Sequence, residues 1–203
     1  MNLHLKRRKG GRSRMKRQDI SIDYLHSAGD RPLPVIRIRR RAGNSRKGWL
    51  TAPGLTIPVA LGRAGILANK REGDGGTPRG IFRPRLVWWR ADRHRRPRTF
   101  LGLRAITAAD AWCEDPNDRH YNQPVRVKRD HSGDRLKRAD HLYDFIVEID
   151  HNTRPRVAGR GSAVFLHLAR DNFGPTAGCV SMTRSAMLHL LRRLGPRTKI
   201  IIG

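Results

Sequence analysis

The chain reads as mainly β. Short runs rich in Val, Ile and Leu recur along it, and clusters of Gly, Pro and Asp separate them. Only one segment carries apolar residues at helical spacing. At 203 residues and 37% hydrophobic, the chain fits one domain with a lean core, or one domain plus a tail.

Residues 1 to about 18 carry eight Lys and Arg and no acid, a block that cannot bury itself. The chain therefore divides into a basic, disordered tail over 1–30 and a folded domain over 31–203, whose first ordered residues lie near Leu33. Pro34–Arg39 is β-branched enough for a strand. Leu55–Leu61 is a second, with Pro58 placing it at an edge or a bulge. Gly73–Gly80 is a turn cluster, and the strand Ile81–Arg90 follows it. Between Trp88 and Asp140 the chain is rich in Arg, Asp and His and reads as long loops. Tyr143–Asp150 alternates, with Tyr143, Phe145, Val147 and Ile149 on one face. Val164–Ala169 is a short buried strand, and Thr198–Ile202 closes the chain. The helix is Arg184–Leu194: Thr183 caps it, Met187, Leu190, Leu191 and Leu194 form its core stripe, and Gly195-Pro196 stops it.

Charge bears on partners rather than fold. With 43 basic and 17 acidic residues the net charge is +26, which favours nucleic acid, anionic lipid or an acidic polymer, or else is arginine bias on a solvated surface. Aromatic residues make up only 6% and no nucleic-acid module pattern appears, so no specific nucleic-acid partner is expected. The two cysteines, Cys113 and Cys179, lack the clustered partners of a zinc site, so no metal and no cofactor is called for. A disulfide between them would silence Cys179. No apolar run approaches membrane-spanning length, and no secretory signal follows the N-terminal charges.

The chemistry concentrates in Phe165–Met182. His167 leaves an apolar run, sharing a strand face with Phe165 and opposing Leu166 and Leu168. Twelve positions later Cys179 follows a glycine in Thr176-Ala-Gly-Cys-Val180. Taken singly, such a histidine is ordinarily a satisfied structural residue and such a cysteine an inert hydrophobe. Together they offer a thiol, a base to make thiolate, and, at Gly178, backbone bare enough for a substrate carbonyl to approach.

Further segments extend the pattern: Lys70–Phe82 with Thr77-Pro-Arg-Gly80, Trp112–Pro116, Tyr121-Asn122, Gly159–His167 and Thr176–Ser181, followed by the helix and last strand. In this order, from about Leu61 to the end, the chain resembles the L,D-transpeptidase catalytic domain of the YkuD type. The resemblance implies an L,D-transpeptidase-like mixed β-sandwich or barrel with a few short helices, its cysteine on a loop beside the catalytic strand. It implies Cys179 as nucleophile, His167 as general base, and the amides of Gly178 and Cys179 as the oxyanion hole. Thr176 matches the motif's Ser/Thr, Arg160 and Ser162 would support the site floor, and Tyr121 and Asn122 would line the substrate groove. Cys113 falls on a position outside the active site. Two departures, Ala177 where many members carry His and the short His167–Cys179 spacing, resemble a proteobacterial branch with a Thr-x-Gly-Cys-Val motif. The residue after His167 is Leu168, so a backbone carbonyl or a distant side chain must orient the imidazole.

The implied reaction is peptidoglycan crosslinking through a thioester, giving 3→3 links between stem peptides, or 1→3 links in view of the divergent motif. Water as acceptor gives an L,D-carboxypeptidase or endopeptidase, an amidase is a further reading of the same scaffold, and envelope proteins are alternative acceptors. A monomer acting in the periplasm and acylated by carbapenems is expected, with basic loops such as Arg90–Arg98 concentrating acidic substrate. The competing class is a non-enzymatic polyanion binder.

Overall fold

The computed structural model describes residues 31–127 and 134–203. The tail assigned to 1–30 lies outside the described residues. The elements run β1 Val35–Arg41, β2 Asn44–Ala52, β3 Leu55–Ala60, β4 Ile66–Leu67, β5 Thr77–Pro78, β6 Gly80–Phe82, β7 Pro84–Trp89 and β8 Gly102–Ala105. Then follow β9 Asp110–Cys113, β10 Gln123–Arg126, β11 Asp134–Arg135, β12 Phe145–Ile149, β13 Phe165–Leu168, β14 Val180–Met182, α1 Arg184–Leu191 and β15 Lys199–Ile202. Among the described residues the fold is mainly β with one helix.

Ten strands form one mixed sheet in the order β6-β15-β1-β2-β3-β14-β13-β12-β7-β8. The pairs β1–β15, β13–β14 and β7–β8 are parallel and the rest antiparallel. In that order β6 and β7 stand eight strand spacings apart, roughly 38 Å if the sheet were flat. Yet a single residue, Arg83, joins them, and the chain can bridge only about 7 Å across it. The sheet must therefore curl until its two ends meet, which is the barrel-like arrangement expected from the resemblance.

Inside it lies the main core, built from the alternate residues of each strand: Ile36 and Ile38, Ile57 and Val59, Val147 and Ile149, Leu166 and Leu168, Val180 and Met182. α1 covers this core with Met187, Leu190 and Leu191, and its first turn is capped where Thr183 Oγ1 accepts from the Ala186 N–H at 3.3 Å. The helix ends three residues earlier than expected, at Leu191 with Arg192 as its C-cap, while Leu194 stays buried just beyond it. A second core of Trp88, Trp112, Ile146, Phe165 and Cys179 lies on the other face of β12 and β13.

Two readings need correction, and a third, the edge placement of Pro58, holds only locally. β2 was not foreseen: its first four residues are polar and exposed, and the inward position 48 holds a glycine, where a Cβ would sit 2.4 Å from the Arg39 carbonyl oxygen, so the apolar signal is lost. The stretch between Trp88 and Asp140 holds strands as well as loops, since β9 pairs with β10 and β11 in a small separate sheet and β8 edges the large one. These strands are four residues or shorter, too short for alternation to show as a period. Pro58 lies in a strand interior to the sheet order, although β14 meets β3 only at the Ser181–Ala60 pair, which leaves Pro58 locally beside β2 alone.

Candidate active site

β13 and β14 run parallel with Leu166 opposite Val180, His167 opposite Ser181 and Leu168 opposite Met182. Residues in register point to the same side of a sheet, so alternation sorts the two segments cleanly. The even-numbered residues enter the main core. Phe165, His167, Cys179 and Ser181 share the opposite face, and all four are buried.

Cys179 sits on the turn leading into β14. That turn needs its glycine, because Gly178 has φ +150° and a Cβ would lie 2.9 Å from the Gly76 carbonyl oxygen. Thr176 Oγ1 knits the turn together, donating to the Cys179 carbonyl at 2.6 Å and accepting from the Gly178 N–H at 3.1 Å. Thr77, from the Thr-Pro-Arg-Gly segment, accepts from the Gly62 N–H at 2.8 Å and donates to the same Cys179 carbonyl at 3.4 Å. The Gly178 amide expected in an oxyanion hole is thus held by Thr176.

The thiol itself is enclosed. Cys179 is 8% exposed, its Sγ donates to the Ala163 carbonyl at 3.1 Å, and it accepts from the Phe165 N–H at 3.3 Å. Burial pushes its pKa up to about 12, partly opposed by the Phe165 N–H, while the carboxylates of Asp134 and Glu114 add to the rise. Burial acts on His167 in the opposite sense and lowers it to about 4. His167 Nδ1 lies 2.8 Å from the Leu168 carbonyl oxygen. A carbonyl can only accept, so Nδ1 carries the hydrogen and Nε2 keeps its lone pair. The orienting group is a backbone carbonyl, one of the two options the sequence left. Both cysteines are free thiols.

His167, Cys179 and Thr176 line one cavity of about 170 Å³, together with Ser181, Tyr143, Arg138 and Arg170. The Tyr143 ring meets the His167 ring edge-on at 5.5 Å, and the Arg138 guanidinium lies 5.0 Å above Tyr143. A larger cavity, about 730 Å³, lies beside Cys113 and Glu114 and includes neither His167 nor Cys179.

Tyr121 and Asn122 do not line the cavity of Cys179. Both are buried, and they act as a bracket behind it. Asn122 Oδ1 accepts from Trp112 Nε1 and from the Ala163 N–H, each at 3.1 Å, and Nδ2 donates to the His151 and Asn152 carbonyls at 3.0 Å. Tyr121 donates its hydroxyl to Glu72 and accepts from the Gly161 N–H at 3.0 Å. Ser162 Oγ also donates to Glu72, at 2.8 Å, so it braces the 159–163 loop rather than facing the cavity. Arg160 is exposed and contributes its carbonyl, which His151 Nε2 meets at 3.2 Å. The basic run Arg90–Arg98 is less free than its charge suggests. Arg90 is buried against Asp92 and the Arg138 carbonyl, and Arg93 is tied to Asp144 and the Asp140 and Ala139 carbonyls.

Sequence reasoning missed Tyr143, which read as a strand-face residue, Ser181, which ended the Thr176–Ser181 segment without a role of its own, and Arg138, which lay in the stretch read as long loops. It missed Glu72 and Thr77 as individuals, although both lie in the Lys70–Phe82 segment that signalled the resemblance. Among the described residues no His, Cys, Asp and Glu converge as metal ligands.

Residues 40–202 match the family model YkuD, described as the L,D-transpeptidase catalytic domain. No curated protein matches the chain. Among solved structures it is similar to the L,D-transpeptidase from Mycobacterium smegmatis, at 12% identity and a TM-score of 0.38, covering 83% of this chain and 58% of that one. The chain therefore spans less than two thirds of that structure's length.

Proposed function

The chain belongs to the L,D-transpeptidase catalytic-domain family, and from that premise we propose that it crosslinks peptidoglycan stem peptides through a thioester on Cys179, with His167 as general base. The observation that supports this most directly is the shared face of β13 and β14, where thiol and imidazole open into one cavity. In the resting arrangement Sγ is bonded to Ala163, so catalysis requires the thiol to leave that carbonyl and turn toward Nε2.

Sulfur then attacks the carbonyl carbon of the donor stem while its proton passes to Nε2. The oxyanion forms near the Gly178 and Cys179 amides, which requires Thr176 to release the Gly178 N–H. As the C–N bond breaks, the imidazolium returns its proton to the departing amine, leaving a thioester. An amine of a second stem attacks that thioester, loses a proton to Nε2, and expels thiolate, which takes the proton back. Splitting one amide exchange into two acyl transfers is the advantage of a nucleophile over direct aminolysis. With that substrate, the proposed place of action is the periplasm.

The test is mass spectrometry of muropeptides after purified sacculi are incubated with wild type and with Cys179→Ala. The expected result is new crosslinked dimers absent from the variant, and fragmentation separates 3→3 from 1→3 linkage. Shortened monomers alone would make the protein a hydrolase. No change with wild type, its thiol verified as reduced, would sink the proposal. A carbapenem should shift the intact mass of wild type and not of Cys179→Ala.

A further inference from the structure

Of the other polar side chains lining the cavity of Cys179 and His167, Arg170 is exposed to solvent and three are committed to protein partners. Thr176 Oγ1 holds the Cys179 carbonyl and the Gly178 N–H. The Tyr143 hydroxyl donates to Asp134 at 3.3 Å, and the Arg138 guanidinium grips both oxygens of Asp140 at 2.9 and 2.7 Å. Ser181 is different. It lines the same cavity, it is 1% exposed, and its Oγ has no hydrogen-bond partner among the described residues. A buried hydroxyl left without a partner is costly, and native folds retain very few of them.

Its position indicates what it is for. Ser181 is the register partner of His167, and it lies two residues beyond Cys179 on the same face of the sheet. It therefore flanks the imidazole that must deliver a proton to the leaving amine and take one from the attacking amine. Any amine placed to exchange a proton with Nε2 while bonding to the carbonyl carbon at Sγ has an N–H left over. Ser181 Oγ offers an acceptor for it beside the base.

We propose that Ser181 seats the amine that enters and leaves at the thioester, its Oγ accepting an amine N–H so that the nitrogen lone pair faces the carbonyl carbon. This rests on the transpeptidase reading above, and it deepens that reading by assigning the amine's side of the cavity. Serine acts here as a contact to the reacting nitrogen, and neither sulfur nor proton passes through it.

The test uses the full chain with an ester analogue of the donor peptide, whose leaving group has no N–H, and a fixed concentration of acceptor amine. Intact mass follows the acyl-enzyme, and product analysis gives the ratio of aminolysis to hydrolysis. For Ser181→Ala the expected result is acylation within about twofold of wild type and a ratio lowered about fivefold, the effect of one neutral hydrogen bond. Ser181→Thr, which keeps the hydroxyl, should recover most of the ratio. The melting temperature of Ser181→Ala should be equal to wild type or higher, because the substitution removes an unpartnered buried hydroxyl. An unchanged ratio would overturn the proposal. A melting temperature lower by several degrees, with ester acylation falling in step, would also overturn it by making the hydroxyl structural. Absence of any acyl-enzyme in wild type would overturn the transpeptidase reading itself, whereas a normal acyl-enzyme with an insensitive ratio sinks only the role of Ser181.

Discussion

Asn122 is the position where the architecture behind the thiol can be tested most sharply. All of its side-chain hydrogen-bonding groups are used: Oδ1 satisfies the indole of Trp112 and the amide of Ala163, and Nδ2 satisfies two carbonyls of the 151–152 turn. Its backbone has φ +54°, a conformation asparagine tolerates better than alanine does. Asn122→Ala would leave two buried donors without acceptors, at about 1–3 kcal/mol each. Forcing alanine into the left-handed region adds about 1 kcal/mol. The expected loss is therefore about 3–7 kcal/mol, which at about 2–4 °C per kcal/mol lowers the melting temperature by at least about 6 °C in a chain of this size. Asn122→Gly removes the same hydrogen bonds without the backbone strain, so it should be less damaging than alanine by about 1 kcal/mol. The assay is thermal unfolding followed by circular dichroism. A melting temperature for Asn122→Ala within about 3 °C of wild type would refute the bracket. Because Ala163 also holds the Cys179 thiol through its carbonyl, iodoacetamide should alkylate Cys179 faster in both variants.

Gly178→Ala should cut acyl-enzyme formation by on the order of a hundredfold, the size of effect seen when an oxyanion donor is displaced, because the new Cβ drives the turn away from Gly76. Intact-mass time courses with a carbapenem would measure it, and acylation at the wild-type rate would contradict the role of the turn. Stability should decline on both sides of neutrality. His167 is held near pKa 4 against an ordinary 6.5, so the unfolded chain binds its proton more tightly and stability falls as pH drops from about 6.5 towards 4. Cys179, raised to about 12 from 9.0, keeps its proton only when folded, so stability also falls as pH climbs from about 9 towards 12. In urea titrations, His167→Gln should flatten the acid limb and Cys179→Ala the alkaline limb. Arg93→Ala should lower the melting temperature by several degrees through its lost contacts to Asp144 and two carbonyls, whereas Arg95→Gln with Arg96→Gln should leave it unchanged. Equal effects of the two changes would undo that distinction.

Local pattern carried the sequence reading far in some places and failed in others. Alternation along Phe165–Leu168 placed His167 opposite Leu166 and Leu168, which is how β13 divides between the two cores. The stripe Met187, Leu190, Leu191 was equally readable, because a helix over a core repeats at a fixed interval. The curl of the sheet was not readable, since it follows from Arg83 joining strands at opposite ends of a pairing order that no single segment encodes. Tyr121 and Asn122 show the same limit at the site. The resemblance offered them as residues of the substrate groove, with loop packing as the alternative, and the partners they hold, Glu72, Gly161 and Ala163, lie about 40 or more positions away along the chain. A polar residue facing substrate and one bridging buried backbone look alike until the fold supplies its neighbours.

Burial poses an apparent contradiction at the centre of the site. It holds the thiol protonated and the imidazole neutral, so the resting pair is uncharged rather than a thiolate beside an imidazolium. For the proposed reaction this is a workable starting point. A general base must begin without its proton, and His167 does so throughout the neutral range. A thiol bonded to Ala163 is shielded from alkylation and oxidation until something displaces it. Substrate can supply that displacement if its carbonyl draws the turn amides from Thr176 as sulfur rotates towards Nε2, so that charge separates only once an oxyanion is there to receive it. In the proposed reaction, the same enclosure that makes the free thiol unreactive would then protect the thioester from water and would favour an amine seated in the cavity over solvent as the acceptor.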